Sequence, residues 1–426
     1  MITYIRKHLQ SSLYQNTYLI ILIRIFGMGF GFIFWALAAR LMETVQVGIA
    51  SGVVAAASLL AGLAQLGLGF GLVQFLPKKE NAVDLLNFSL LLSAMAGGIL
   101  SIVFLVGLPF WSRELLTLRS SYMLMLVFMG LVSSTALSQL VHYALLAKRR
   151  LNFSLFKSLA QAILAILFLI LFQNYTHNST AAIGAYFLAT LISFLATLIW
   201  FLPIAHQGYQ FMPSIHVPGC IELTLFSVLN HIPDQAQRLP DTLLPLIVIA
   251  QLGAEAGAYF FIIWTLGRSI AAWSGSVGES LFAEGSHSPA DAHQHGWKAM
   301  KFGLLLAFVM AAAVSTFGRF VLAIYGAEYV NNGLNLLYCV AFAAVPGVVL
   351  TILINMLRIQ NRMGAVSVIM LASAGLGIAA SYFGMSRYGL VGAGIGWLTM
   401  QLLLVGTVTL WWYWKVIVMR PKLQPI

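Results

Sequence analysis

One hydrophobic stretch of the chain, from Leu229 to Asp241, contains a high concentration of ionisable side chains. They follow one another at intervals of three, four and three residues, which places them on one face of a helix: His231, Asp234, Arg238 and Asp241. An Asp or Arg at the centre of a bilayer costs roughly 3 kcal/mol, so Asp234, Arg238 and Asp241 together would cost about 9 kcal/mol if the face met lipid. We therefore expect the face to meet protein, water or a ligand, and we take Asp234, Asp241 and His231 as candidates for coupling to an ion.

The same stretch contains Pro233 and Pro240, each of which removes a backbone hydrogen-bond donor from the helix. A hydrophobic span interrupted by proline is the best indication in a sequence of a transporter's binding site near the middle of the membrane. The pattern therefore predicts that a ligand or ion binds beside this segment.

Two more arginines, Arg24 and Arg268, also lie within hydrophobic segments. A guanidinium group can bind a phosphate through two parallel hydrogen bonds, so Arg24, Arg238 and Arg268 facing one cavity would suit a diphosphate. The alternative is structural: Arg238 pairs with Asp234, and Arg24 extends toward the cytoplasmic surface. We expect the other polar residues of the spans to bond to neighbouring helices: Gln65, Gln74, Gln139, His142 and Asn355.

The composition excludes an ordinary soluble enzyme. The 426 residues are 60% hydrophobic and only 8% charged, whereas a soluble domain has about 25% charged residues. The net charge of +11 comes mostly from basic residues between hydrophobic segments, so it indicates membrane topology and not a nucleic-acid partner. No Gly-Lys dipeptide occurs, which excludes a Walker A loop, and we expect neither a metal nor a cofactor.

Twelve segments are long enough to cross a bilayer. They cover residues 17–41, 47–76, 85–110, 122–147, 153–173, 179–204, 221–250, 256–282, 302–325, 334–357, 364–384 and 389–414. With the N-terminus in the cytoplasm, fifteen Lys and Arg residues, Lys157 among them, lie inside and five lie outside. The positive-inside rule therefore predicts that both termini are cytoplasmic.

A segment rich in Pro and Gly, from Pro203 to Cys220, divides the chain into two predicted lobes, residues 1–207 and 208–426. Short patterns recur in the same order in both halves at about 210 residues, for example Ile183-Gly184-Ala185 and Val391-Gly392-Ala393. The predicted fold class is thus all-α: twelve transmembrane helices in two six-helix bundles, related by a pseudo-twofold axis along the membrane normal.

Several ordered motifs resemble the polysaccharide and O-antigen flippases of the multidrug, oligosaccharidyl-lipid and polysaccharide exporter superfamily. They are Ala39-Arg40-Leu41 with Gly48, Gly257-Ala258-Tyr259, the run Ile324-Tyr325-Gly326-Ala327-Glu328-Tyr329, and Tyr388-Gly389-Leu390-Val391-Gly392-Ala393. Arg24 and Arg268 also look like the cavity arginines of the lipid II flippase branch. The resemblance covers nearly the whole chain.

The resemblance implies two bundles around a cationic cavity, alternating access, and a place in the bacterial cytoplasmic membrane. It also implies a lipid-linked oligosaccharide as substrate, membrane lipids as partners, and polysaccharide polymerase and export machinery as further partners. The leading function is flipping of an undecaprenyl-diphosphate-linked oligosaccharide. The alternative is an ion-coupled multidrug or small-molecule antiporter; a membrane-embedded glycan polymerase is disfavoured because the longest predicted outer loop has only about eleven residues.

Overall fold

The structure is a computed structural model that describes residues 12–79, 81–206, 209–212, 217–287, 292–360 and 362–413. Within these ranges all regular structure is helical and no strand occurs, which confirms the predicted all-α class. The helices are α1 Ser12–Leu41, α2 Thr44–Ala64, α3 Leu68–Phe75, α4 Ala82–Trp111, α5 Tyr122–Ala147, α6 Leu151–Gln173, α7 Ser179–Ala196, α8 Leu202–Ala205, α9 Cys220–Leu252, α10 Ala254–His287, α11 Ala292–Tyr325, α12 Ala327–Ile359 and α13 Met363–Tyr413. A 3₁₀ helix covers Glu114–Arg119, and a π-helical turn covers Thr197–Phe201.

Nine helical segments in the described ranges are long and apolar enough to cross a membrane, with mean hydropathies from 1.8 to 2.4. They make the chain a multi-pass membrane protein. Two helices that the sequence predicts as spans, α9 and α10, are present but do not belong to these nine. The count of twelve crossings therefore stays a prediction.

The chain divides into two compact units. The first comprises Met1–Gln235 with Gly253–Ala258, and the second comprises Ala236–Leu252 with Tyr259–Ile426. The predicted lobe boundary at residues 207 and 208 lies outside the described residues, as do both chain ends, so the lobe division and the cytoplasmic termini remain predictions.

In the first unit, α5 packs against α4 and α7, and α6 packs against α1 and α7. The core between α3, α4 and α5 is built from leucines that are almost completely buried, including Leu72, Leu86 and Leu140. The second predicted span is not one continuous helix: the backbone turns at Leu66 and Gly67, which have positive φ, and α3 begins at the next residue.

In the second unit, α13 is a hairpin of two helices. Its backbone leaves the helical region at Gly389, with φ 57° and ψ −142°, a conformation that glycine adopts without a Cβ clash. On either side of this turn the two halves touch, since a Cβ added to Gly392 would lie 2.0 Å from the backbone oxygen of Gly384. The Ser381 hydroxyl also donates to the carbonyl of Ala393 at 3.0 Å. The two arms correspond to the predicted segments 364–384 and 389–414.

The described part of the predicted linker is bonded to the first unit. The Tyr209 hydroxyl donates to Asn87 Oδ1 at 3.1 Å, and Asn87 Nδ2 donates to the carbonyl of Gln210 at 2.8 Å. Asn81 Nδ2 donates to the carbonyl of Pro218 at 2.8 Å. Asn87 is completely buried, and both ends of its amide are thus satisfied by the linker.

The close approach within α13 gives a direct test of the hairpin. Gly392→Ala should destabilise the protein by about 1–3 kcal/mol, because the new methyl group would have to displace the backbone of Gly384. Gly406→Ala is the matched control, since nothing lies within 4 Å of its added Cβ. Thermal unfolding in detergent should show a lower midpoint for Gly392→Ala alone; equal midpoints for the two variants would contradict the hairpin.

We expect His206 to make the stability of the first unit depend on pH. Burial lowers the pKa of His206 from 6.5 to about 4, the positive charge of Lys148 adds to this effect, and a hydrogen bond with the Ala144 backbone opposes it. The pKa of His206 is lower in the folded than in the unfolded state, so the unfolded state takes up a proton first as the pH falls. The contribution of neutral His206 to the free energy of unfolding is therefore complete above pH 6.5 and is lost as the pH falls toward 4.

We therefore expect the unfolding midpoint of the wild type to fall more steeply between pH 7 and pH 4.5 than that of His206→Gln, which cannot take up a proton there. Thermal scans at a series of pH values check this expectation. If the midpoints of wild type and His206→Gln changed equally with pH, His206 would not take up a proton on unfolding in this range.

Candidate functional site

An ion pair joins α9 to α10. Arg268 Nε donates to Asp241 Oδ1 at 2.7 Å, and Arg268 Nη2 donates to Asp241 Oδ2 at 3.3 Å. This is the two-point arrangement in which an arginine fork meets a carboxylate. The Arg268 and Asp241 side chains are 31% and 40% exposed, so the pair is half-buried and can be reached by a ligand.

Trp264 is the third member of this site. Its Nε1 donates to Asp241 Oδ1 at 3.0 Å. Trp264 precedes Arg268 by four residues, so both side chains leave the same face of α10. Asp241 thus accepts three hydrogen bonds, and one of its oxygens is shared by Arg268 and Trp264.

The indole of Trp264 is fixed by other aromatic rings. Phe260 stacks on it with a centroid distance of 5.2 Å, and Trp397 of α13 meets it edge-on at 5.0 Å. Only 2% of Trp264 is exposed. Trp397 in turn lies against Gly377, where an added Cβ would come within 2.5 Å of the Trp397 ring. The donor to Asp241 therefore has little freedom to move.

Of the six residues that the sequence predicts as site residues, Arg268 and Asp241 form this ion pair. His231, Asp234 and Arg238 lie on α9 with Asp241, and this helix is continuous from Cys220 to Leu252 through its prolines. Arg24 lies on α1 and is exposed. A cavity shared by the three arginines, and the roles of all six residues, remain predictions.

Among the weaker polar candidates, Gln65, Gln139 and His142 bond to neighbouring helices, as expected. Gln65 Nε2 donates to Gln139 Oε1 across α2 and α5, and the His142 ring shares a hydrogen bond with the Ser154 hydroxyl across α5 and α6. On α12, Asn355 Nδ2 donates to the carbonyl of Thr351 at 3.0 Å. The first two contacts hold helices together, whereas the third lies within α12.

Lys157 is a buried charge that sequence reasoning counted among the cytoplasmic basic residues. It lies on α6 with 6% exposure, and its Nζ donates to both the carbonyl and the hydroxyl of Ser138, at 2.7 and 2.8 Å. The sequence already indicated that Lys157 lies inside a helix of the membrane, because the predicted span 153–173 includes it. It bonds α6 to α5.

Two of the family motifs meet in the second unit. The rings of Tyr259 and Tyr329 form an edge-on pair at 5.0 Å, and Asn332 Nδ2 donates to the Tyr259 hydroxyl at 3.2 Å. Both tyrosines are almost fully buried. These motif residues therefore pack α10 against α12.

Three solved structures of membrane transporters are similar to this chain in fold. A multidrug resistance MATE family transporter in its inward-facing conformation has a TM-score of 0.66 and 14% identity, with 95% of this chain and 96% of that chain covered. The lipid II flippase MurJ, in an inward closed conformation, has a TM-score of 0.71 and 11% identity, with 93% and 87% covered. A transporter from Pyrococcus furiosus, described as having a binding pocket of reverse polarity, has a TM-score of 0.50 and 15% identity, with 96% and 94% covered.

The chain therefore has the fold of these transporters, as the sequence motifs predicted. No curated protein has a sequence that matches this chain. The profile of the polysaccharide biosynthesis protein family matches residues 13–225, which is half of the 426 residues, and the chain belongs to that family. The predicted family is confirmed.

A double-mutant cycle tests whether Arg268 and Asp241 stabilise each other. Arg268→Gln leaves the Asp241 carboxylate with Trp264 as its one remaining donor in the site. This change should lower the free energy of unfolding by about 1–3 kcal/mol, toward the lower end of the range because the pair is partly exposed. The double variant with Asp241→Asn should recover most of this loss. Unfolding midpoints in detergent measure both.

Lys79 and Glu222 provide the control pair, with Nζ and Oε2 3.1 Å apart and side chains 38% and 59% exposed. A cycle on this exposed pair should give a coupling of about 0–1 kcal/mol. Equal couplings for the two pairs would show that the Arg268 contact adds nothing beyond a surface ion pair.

Proposed function

We propose that this protein is a flippase that moves an undecaprenyl-diphosphate-linked oligosaccharide, an O-antigen or another surface polysaccharide repeat unit, across the bacterial cytoplasmic membrane by alternating access. The observation that carries the proposal is Arg268: it presents two parallel donors to an acid in a half-buried site of a protein from the polysaccharide biosynthesis family. A phosphate oxygen pair suits the same two donors. The fold shared with the lipid II flippase supports a lipid-linked substrate.

In this proposal Arg268 and Arg238 of the second unit and Arg24 of α1 bind the diphosphate. The diphosphate is the part of the substrate that cannot cross hydrocarbon unaided, since a bare charge in lipid is costly. The lipid tail stays in the membrane, and the sugars travel with the head group. Polysaccharide polymerase and export machinery would act on the product.

The second candidate is an ion-coupled multidrug or small-molecule antiporter, which the likeness to a MATE transporter favours. Such a transporter needs acids for cationic substrates, and Asp234 and Asp241 are available on α9. The fold does not fix the sign of the substrate's charge, because one transporter with this fold is described as having a pocket of reverse polarity. The ion pair of Arg268 and Asp241 has no net charge, so it favours neither an anionic nor a cationic substrate. The transport of a lipid-linked diphosphate and of a cationic dye must therefore both be measured.

The decisive measurement uses proteoliposomes with a fluorescent undecaprenyl-diphosphate oligosaccharide whose sugars become accessible to an impermeant lectin after flipping. Wild-type protein should expose the sugars. Arg268→Gln in the Asp241→Asn background should slow this step by about tenfold to a hundredfold, because a neutral side chain replaces charge-assisted hydrogen bonds worth about 1.5–3 kcal/mol. The rate of the Asp241→Asn single variant, which keeps the guanidinium, is the reference for this comparison.

The same vesicles separate the two functions. Uptake of a cationic dye that depends on the protein, without any lectin accessibility, would replace the flippase by the antiporter. Arg238→Gln and Arg24→Gln are measured in parallel. Slower flipping in either variant would support diphosphate binding by that arginine, and an unchanged rate would contradict it. Membrane protein level must be matched between variants, because low abundance mimics lost transport.

We also propose that Asp234, Asp241 or His231 takes up the coupling ion. Moving one charge through the membrane potential is worth about 2.3 kcal/mol per 100 mV, enough to bias alternating access. An imposed proton or sodium gradient should accelerate flipping, and collapsing that gradient should abolish the acceleration. If neither gradient changes the rate, the coupling proposal fails while the flippase assignment stands.

A further inference from the structure

We propose that Asp241 is a built-in competitor of the substrate's diphosphate: it occupies the donors of Arg268 when the site is empty, and Trp264 controls how firmly it does so. The inference rests on the proposed function, because it assumes that Arg268 binds the diphosphate. It adds the step by which the site is filled and emptied.

The competition follows from the geometry of the donors. Arg268 uses Nε and Nη2, two donors on one edge of the guanidinium, for the two carboxylate oxygens of Asp241. A phosphate group would approach the same edge with two oxygens at a similar spacing. Asp241 and a phosphate cannot both use that edge, so a diphosphate that binds through Nε and Nη2 requires Asp241 to withdraw.

The exposure of the three side chains shows which of them a ligand can reach. Arg268 and Asp241 are 31% and 40% exposed, so water and a ligand can reach their contact. Trp264 is 2% exposed and is held by Phe260 and Trp397. Asp241 can withdraw, whereas the indole N–H stays in place.

A fixed donor makes the withdrawal reversible. When Asp241 leaves, the Trp264 N–H loses its acceptor, and a buried donor without a partner is unfavourable. Asp241 is therefore drawn back, and its return competes with the bound diphosphate. Trp264 acts as a positioning residue: it keeps substrate affinity low enough for release.

The exchange also serves the empty carrier. A guanidinium remains charged at any physiological pH, so an emptied site would leave a half-buried cation. Asp241 replaces the departing anion and neutralises Arg268 during the return step. A site without this acid would bind more tightly and turn over more slowly.

Binding of farnesyl diphosphate, a short and soluble prenyl diphosphate, tests the competition by calorimetry on detergent-purified protein. Asp241→Asn should bind it about tenfold more tightly than wild type, because the competing carboxylate is gone. Trp264→Phe keeps an aromatic ring and both charges but removes the N–H, so it should tighten binding by a smaller factor, about threefold. Trp200→Phe is the control, since Trp200 is exposed and lies in the first unit.

Flipping assays supply a second readout that a merely structural role would not change. Asp241→Asn and Trp264→Phe should lower the KM and also lower the maximal rate, because release becomes slow. Adding Arg268→Gln to Asp241→Asn should abolish the gain in affinity. A gain that persists without Arg268 overturns the proposal.

The failures of the two proposals are distinguishable. If wild type binds farnesyl diphosphate and flips the oligosaccharide, but Asp241→Asn and Trp264→Phe bind no more tightly, the competition is overturned and the flippase remains. If Asp241→Asn does not fold, Trp264→Phe alone decides, because it preserves the ion pair. If no variant binds the diphosphate or flips the oligosaccharide, the proposed function fails first.

Discussion

The constraint on which this site depends is that a guanidinium cannot lose its charge, so Arg268 needs an anion or water in every state of the protein. Asp241 supplies that anion through two hydrogen bonds, and Trp264 holds the acid through a third. The surrounding structure serves this arrangement. The stacked ring of Phe260 and the edge of Trp397 fix the indole, and the α13 hairpin that carries Trp397 is closed by glycines close enough for backbone contact.

Much of the fold could be predicted from the sequence, because the length of an apolar segment and the residues that interrupt it can be read locally. The turn at Gly389 falls at the start of a predicted span, and the helices of the first unit begin and end within a few residues of the predicted ones. The break at Gly67 was not predicted, because an apolar run with one more glycine resembles a continuous span. Length alone does not report a change of backbone conformation inside such a run.

Arg268 and Asp241 were both named from the sequence as candidates, but their pairing was not predicted. The spacing of Asp234 and Arg238 suggested a pair within one helix, which is the kind that periodicity can show. The contact between Arg268 and Asp241 joins residues 27 positions apart, and the packing of α9 against α10 decides it. Trp264 was missed although it precedes Arg268 by one helical turn, because an isolated Trp in an apolar helix gives no sign of which acceptor it will reach.

The two helices that carry the site, α9 and α10, are helices of the described chain that are not among its nine apolar spans. The reason is physical: every charge that a site requires lowers the hydropathy of the helix that supplies it. A helix of this kind is stable in a membrane only if other protein groups neutralise its charges, as Asp241 does for Arg268. Hydropathy therefore detects apolar helices and is least sensitive to helices that carry the charges of a site. Polar helices between apolar spans are accordingly the part of such a sequence where a functional site should be sought.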